Sequence, residues 1–256
     1  IAEETAVALA SGIAAGGGKP VFGVYSSFVQ RTFDQISQDL CINNNAATIV
    51  TFAGSVYGMN DVTHLGFQDI PMLSNIPNLV YLAPTTKEEY IAMLDWSIEQ
   101  NEHPVAIKLP GGAMVSGSSV TKNFGDLNKY EVTQKGSKVA LLGLGTFYSL
   151  ANAVADEMKS ELGIDATVIN PYYITGLDEE LLESLKADHS VVITIEDGIL
   201  DGGFGEKIAR FYGDSDMKVL NYGLKKEFLD RYDVEEVLKD NRLDAEMIAE
   251  DVKGLL

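Results

Sequence analysis

Residues 138–158 read KVALLGLGTFYSLANAVADEM. The apolar run after Lys138 is short and is followed at once by glycines, so it reads as a strand buried on both faces. TFYSLANAVADEM (146–158) then carries helical spacing, and GLG (143–145) supplies the tight turn between the two. A dinucleotide-binding fingerprint would need a third glycine where Tyr148 stands. It would also need an acidic residue ending a second strand about twenty positions on. Both are missing, so the stretch is a strand–turn–helix unit and not a nucleotide loop.

The same unit recurs outward in both directions. Downstream, ATVIN (166–170) is a strand, DEELLESLKA (178–187) a helix and SVVITIED (190–197) a strand. GGFGEKIARFY opens a helix and MKVLNYG (217–223) is a last strand. Upstream, PVFGVY (20–25), ATIVTFA (47–53), NLVYLA (78–83) and VAIKL (105–109) read as strands. Between them, Ala6, Leu9 and Ile13 recur at helical spacing before the GGG stop at 16–18, and Val29, Phe33, Ile36 and Leu40 form one stripe of an amphipathic helix. Thr85 with Glu88 fits a capping box for a helix running to about residue 100. Strands alternating with helices imply an α/β chain: two three-layer αβα domains with mainly parallel sheets. The expected division is 1–110, a Gly- and Ser-rich linker at 111–127, and 128–256.

The chain has 256 residues, 46% of them apolar and 22% charged, with a net charge of −19. Such a surface repels phosphate backbones and anionic lipid, which argues against nucleic-acid and membrane partners. No apolar run reaches the ~18–20 residues needed to span a bilayer. Cys41 is the only cysteine. This leaves no intrachain disulfide and fits a reducing, cytoplasmic setting. The sequence begins at Ile1 already inside a helical pattern, so a fragment or processed piece is expected.

GMNDVTHLGFQDIP (58–71) gathers Asp61, His64 and Asp69 in a chain with three histidines. The spacing matches no compact metal-ligand motif, so no metal is assigned to it. The loop follows a strand, where ligand sites of open α/β sheets gather, and this singles out His64. His103 and His189, in polar turns before strands, read as solvated. AAGGGKP (14–20) fails the phosphate-loop pattern and reads as a helix stop. EDGILDGGFGEK (196–207) lacks calcium-loop spacing and reads as a turn exposing a helix N-terminus. Glu3 and Glu4 suit the first turn of a helix.

Three stretches carry a family resemblance: IAEETAVALASGIA (1–14), VYSSFVQRTFDQISQD (24–39) and THLGFQDIPMLSNIPNLVYLAPT (63–85). With EDGILDGGFG (196–205) and NYGL (221–224), they resemble the 1-deoxy-D-xylulose-5-phosphate synthase branch of the transketolase family, which uses thiamine diphosphate. The resemblance implies a pyrimidine-binding domain followed by the family's C-terminal domain. It places Glu3 at the glutamate that holds a proton against a ring nitrogen of the cofactor's aminopyrimidine. That role requires burial to raise its pKa. Phe28 corresponds to the ring that stacks on the aminopyrimidine, with Arg31 beside the cofactor. Tyr25, Asn60, Asp61 and His64 fall on the substrate side, His64 as a proton shuttle or hydrogen-bond donor. Asn60 stands where the synthases carry an Asp.

The two arginines with which the synthases grip a substrate phosphate have no counterpart in TFAGSVYG (51–58) or LPGG (109–112), where Gly111 takes the second place. The resemblance thus implies two-carbon transfer from pyruvate to an aldehyde that need not be glyceraldehyde 3-phosphate. The family's Gly-Asp-Gly…Asn motif, which binds Mg²⁺ and the diphosphate, is not present. It is expected on an N-terminal domain or partner subunit, in a homodimer. A 2-oxoacid dehydrogenase β-type subunit and a catalytically degenerate paralogue are the alternatives.

Overall fold

The structure, a computed structural model, describes residues 1–112 and 114–255. Ala113, inside the expected linker, and Leu256, at the expected end of the second domain, lie outside the described residues. The first domain runs α1 (Glu3–Ala15), β1 (Val21–Tyr25), a broken helical segment, β2 (Thr48–Phe52), α4 (Asp69–Leu73), β3 (Val80–Leu82), α5 (Lys87–Glu99) and β4 (Val105–Lys108). The broken segment comprises α2 (Ser26–Val29), a 3₁₀ turn, α3 (Phe33–Gln35) and a π turn (Ile36–Cys41). The second has β5 (Glu131–Gln134), β6 (Lys138–Gly143), α6 (Tyr148–Leu162), β7 (Thr167–Asn170) and α7 (Glu179–Leu185). It continues with β8 (His189–Ile199), α8 (Phe204–Phe211), β9 (Lys218–Leu224), α9 (Val234–Asp240) and α10 (Ala245–Lys253).

The 138–158 stretch forms the centre of the second sheet. Its order is β5-β7-β6-β8-β9, parallel except for β5, which runs antiparallel to β7. Being central, β6 is covered on both faces, and Val139, Ala140, Leu141 and Leu142 are fully buried. Burying one such aliphatic side chain is worth ~1.5–3 kcal/mol. Helix α6 presents Ala151, Val154, Ala155 and Met158 to the core, a strict i, i+3, i+4, i+7 stripe. It ends at Gly163, whose φ of 66° needs a residue without a side chain. The first sheet, β1-β2-β4-β3, is wholly parallel.

Several local expectations shift. The cap of α5 is Thr86, not Thr85: its hydroxyl accepts from Glu89 N at 3.2 Å, while the Glu89 carboxylate accepts from Thr85 N at 2.7 Å. Helix α1 buries Val7, Ala10 and Ser11, whereas Leu9 and Ile13 face outward. The 29–40 stripe does bury Val29, Ile36 and Leu40, but Phe33 is exposed. The helix there is not continuous: a 3₁₀ turn interrupts it after Val29, and the wider π turn at its end brings Leu40 and Cys41 inward together. His189 is the first residue of β8, and its ring is nearly inaccessible, 2.8 Å from the Thr167 hydroxyl.

The two sheets are joined along an edge. Ala83 N donates to Tyr172 O at 2.8 Å, and Ile174 N to Tyr81 O at 2.7 Å, so a segment after β7 pairs with β3. One buried apolar cluster runs through both domains, from Val7 and Ile49 to Ile169 and Ile208.

Candidate active site

Helix α1 packs on the turn that follows α2, which sets Glu3 near Arg31. The Arg31 guanidinium lies 3.8 Å from Glu3 Oε2. The Ile1 ammonium donates to Glu3 Oε1 at 3.0 Å. Glu3 Oε2 is covered from solvent and lies 2.9 Å from the same ammonium. Burial was expected to raise the Glu3 carboxyl. Here the hydrogen bond from the Ile1 ammonium, with smaller help from Arg31, holds it below the ordinary range; with residues ahead of Ile1 that nitrogen would be a neutral amide. Positive charge at the carboxylate outweighs partial burial.

Phe28 stands at the start of the broken helix, directly after the strand end at Tyr25. Its ring meets Tyr25 at 5.8 Å, edge-on, and His64 at 5.3 Å. Tyr25 also packs on Phe52, at 4.4 Å. The structure thus brings Tyr25, Phe28 and His64 into one aromatic row at the carboxyl ends of β1 and β2. His64 Nδ1 contacts the Thr63 hydroxyl at 2.9 Å, and Asp61 is 3.9 Å from the same nitrogen. Asp61 points mostly to solvent. Asn60 does not face this row through a side-chain contact: its amide donates to Tyr232 O at 3.3 Å.

The loop that carries His64 is held from the second domain. Asp197 accepts from Val56 N at 2.9 Å and from the Thr146 hydroxyl at 3.1 Å. The Tyr232 hydroxyl donates to Val56 O at 2.9 Å, Arg231 N to Asn60 O at 2.6 Å, and Val62 N to Asp230 at 3.2 Å. From the first domain, the Ser26 hydroxyl donates to Gly66 O at 2.8 Å, tying the loop's far end to the helix that bears Phe28. The loop leaves β2 through Ala53, whose φ is 59°. Left-handed backbone at a non-glycine residue costs of order 1–3 kcal/mol and persists only where neighbours enforce it.

Sequence reasoning missed the buried polar cluster beneath this loop. Asp69 accepts from Lys108 Nζ at 2.8 and 2.9 Å and from the Tyr81 hydroxyl at 2.7 Å. Lys108 Nζ also donates to Gly54 O. Both side chains are almost wholly buried. The available signal was Lys108 itself, a charge inside the apolar run VAIKL. Glu196 was likewise missed. Its carboxylate accepts from Phe204 N at 2.8 Å and Gly205 N at 2.7 Å, so the N-terminus of α8 is capped and not exposed as expected. Burial pushes Glu196 up to about 7, against the lowering effect of those two N–H groups. Gly203 leaves room for it, since a Cβ there would sit 2.6 Å from the carboxylate.

A carboxylate at Glu3 and an aromatic ring at Phe28, on segments packed around the same turn, are the group types that the aminopyrimidine half of thiamine diphosphate would need. Among the described residues, no group of three or more His, Cys, Asp or Glu side chains is placed to hold a metal ion. No described helix is long and apolar enough to cross a membrane.

Comparison with known proteins identifies both domains. Residues 1–114 match the transketolase pyrimidine binding domain, and residues 128–248 the transketolase C-terminal domain. The chain is similar to 1-deoxy-D-xylulose-5-phosphate synthases of Clostridium tetani (35% identity) and Clostridium beijerinckii (37%), each over 100% of this chain and 41% of the relative. A third, from Clostridium botulinum, is 38% identical over 95% of this chain and 39% of the relative. The chain therefore spans about two fifths of the length of these relatives. A solved structure described as a split gene transketolase, inactive beta4 tetramer, superposes with a TM-score of 0.85. At 22% identity, over 99% of this chain and 81% of that one, it bears on the fold alone. With both of its domains matched in order and relatives aligned along its whole length, the chain belongs to the transketolase family.

Proposed function

We propose that the chain supplies the pyrimidine-binding and C-terminal domains, divided by a linker at 111–127, of a thiamine-diphosphate-dependent transferase. The reaction is transfer of a two-carbon unit from a 2-oxo acid such as pyruvate to an aldehyde, as in the synthases it resembles. The observation that carries this reading is the placing of Glu3, 3.8 Å from Arg31 on the helix that packs against the turn after α2, close in the fold to the Tyr25, Phe28 and His64 row. Glu3 would hold a proton at the aminopyrimidine nitrogen, Phe28 would stack on that ring, and Arg31 would flank it. The cofactor, when bound, supplies carbanion chemistry that side chains cannot. Tyr25 and His64 would face the substrate, His64 handling a proton on the acceptor. Asp61 would orient His64, and Asn60 would act by fixing the loop.

The acceptor we favour lacks a phosphate. In addition to the missing arginines, a side chain at Gly111 would run into the Gly58 backbone, with its Cβ 2.7 Å from Gly58 N and 2.8 Å from Tyr57 O. The turn occupies the space that a phosphate-gripping side chain there would need. Mg²⁺ and the diphosphate would be held by another domain or subunit. The outward face of α1, α3 and β1 supports assembly with a second copy into a homodimer. It leaves Leu9, Ile13, Val21, Tyr25 and Phe33 exposed next to the site. A cytoplasmic location suits the single, buried Cys41.

The test is Glu3→Gln in the complete protein, with exchange of the thiazolium proton followed by NMR. Loss of exchange is expected. Near-normal exchange sinks the assignment. Product analysis with pyruvate and matched phosphorylated and unphosphorylated aldehydes then settles the acceptor.

A further inference from the structure

A cleft of about 590 Å³ lies at the other edge of the first sheet, remote from β1. Its walls come from the first turn of α5, the irregular stretch 118–122, and the β5–β7 edge of the second sheet. None of Glu3, Tyr25, Phe28 or His64 lines it. Its size falls in the ~300–1,000 Å³ range of small-molecule sites.

The lining is polar, and its charged groups differ in how far they are already engaged. Glu89 is buried and committed: one oxygen accepts from Thr85 N at 2.7 Å and the other from Asn170 Nδ2 at 3.2 Å. Glu131, at the exposed rim, takes the Tyr172 hydroxyl on one oxygen. Lys122 is half-buried with its ammonium 4.9 Å from the centre of the Tyr172 ring. Among the described residues it makes no hydrogen bond and no ion pair. Partial burial lowers its pKa, against the opposing pull of Glu131 and other carboxylates. An ammonium withdrawn from water without an acceptor is disfavoured unless something supplies one. The aromatic face compensates only in part.

We propose that this cleft is a second ligand site, for a small zwitterion of the α-amino acid class. Its carboxylate engages Lys122 and its ammonium engages Glu131. The charges decide the class. A simple anion would meet Lys122 but face Glu131 and Glu89. A simple cation would meet the carboxylates but face Lys122. A molecule that carries both charges meets both, and hydroxyls such as Thr86, Ser119 and Thr121 suit a polar substituent.

The test uses the full-length protein. The twenty common amino acids are screened singly by thermal shift at about 10 mM, because a ligand of the native state raises the midpoint by mass action. Each hit goes to calorimetry beside its α-hydroxy acid counterpart, which lacks the ammonium, and its decarboxylated amine. The expected result is saturable binding of at least one amino acid, with both counterparts and both variants, Lys122→Met and Glu131→Gln, weaker by about tenfold or more. The proposal is overturned if no amino acid shifts the midpoint, if a counterpart binds as well as its parent, or if either folded variant binds like the wild type. Should Lys122→Met fail to fold, Glu131→Gln decides alone.

Discussion

The row formed by Tyr25, Phe28 and His64 beside Glu3, and the cluster formed by Asp69, Lys108, Tyr81 and Asp197, lie on opposite sides of one loop. They obey opposite rules. In the cluster the groups are buried and partnered: Asp69 has four donor contacts and Asp197 two. In the row the rings are partly open, and Glu3 meets Arg31 at 3.8 Å. A satisfied buried network rigidifies, whereas partly open side chains at strand ends leave room for a ligand. The cluster is thus the frame and the row the proposed working surface. The His64 loop is held rigid from below so that its upper side can stay uncommitted.

Four variants would break or sharpen that contrast. Glu3→Gln should cost about 100-fold or more in cofactor proton exchange, the range of a positioned acid or base. Its unfolding midpoint should barely move. A large fall in stability would place Glu3 in the frame. Lys108→Met should do the reverse, leaving Asp69 buried without its cation, at a cost of about 3–5 kcal/mol in urea unfolding. Pairing it with Asp69→Leu should recover part of that loss. If it does not, the ion pair is not the main contribution.

Glu196 tests the frame by pH. Its carboxyl titrates at about 7 in the folded protein and near ~4.3 in an unfolded chain. Between those values the folded state binds the extra proton. The stability Glu196 contributes is therefore complete below ~4.3 and lost as pH rises through about 7, on the order of 3 kcal/mol. Glu196→Gln should flatten that fall, read from urea midpoints across the window. An unchanged slope would mean that the group titrates normally. Asn60→Ala should show the smallest effect, about 0.5–1.5 kcal/mol for one hydrogen bond to Tyr232 O. A larger fall in catalytic efficiency than in stability would move Asn60 from the frame to the working surface.

The row was legible because its residues sit in short contiguous motifs. Tyr25 and Phe28 share YSSFVQR, and His64 sits in a loop after a strand. The cluster was not, because Asp69 and Lys108 are 39 positions apart and Val56 and Asp197 are 141 apart. Nothing local marks such pairs as partners. The 29–40 stripe gave three core residues correctly and missed Phe33, because the 3₁₀ turn at Gln30–Thr32, just before it, changes the angular step that any periodicity argument assumes. Leu9 and Ile13 kept helical spacing yet face outward. Spacing defines a face but not which way that face points.

What the sequence determined by itself is the alternation of short apolar strands with helices, KVALLGLG among the strands. That follows from backbone periodicity and local turn chemistry, which act over a few residues, whereas the expected pyrimidine-binding residues came from the family resemblance alone. Only the tertiary structure decided that the His64 loop is clamped by the second domain, that Gly111 is closed against Gly58, and that Lys122 and Glu131 share a cleft. Those outcomes depend on burial, and burial is set by which distant segments exclude water from one another.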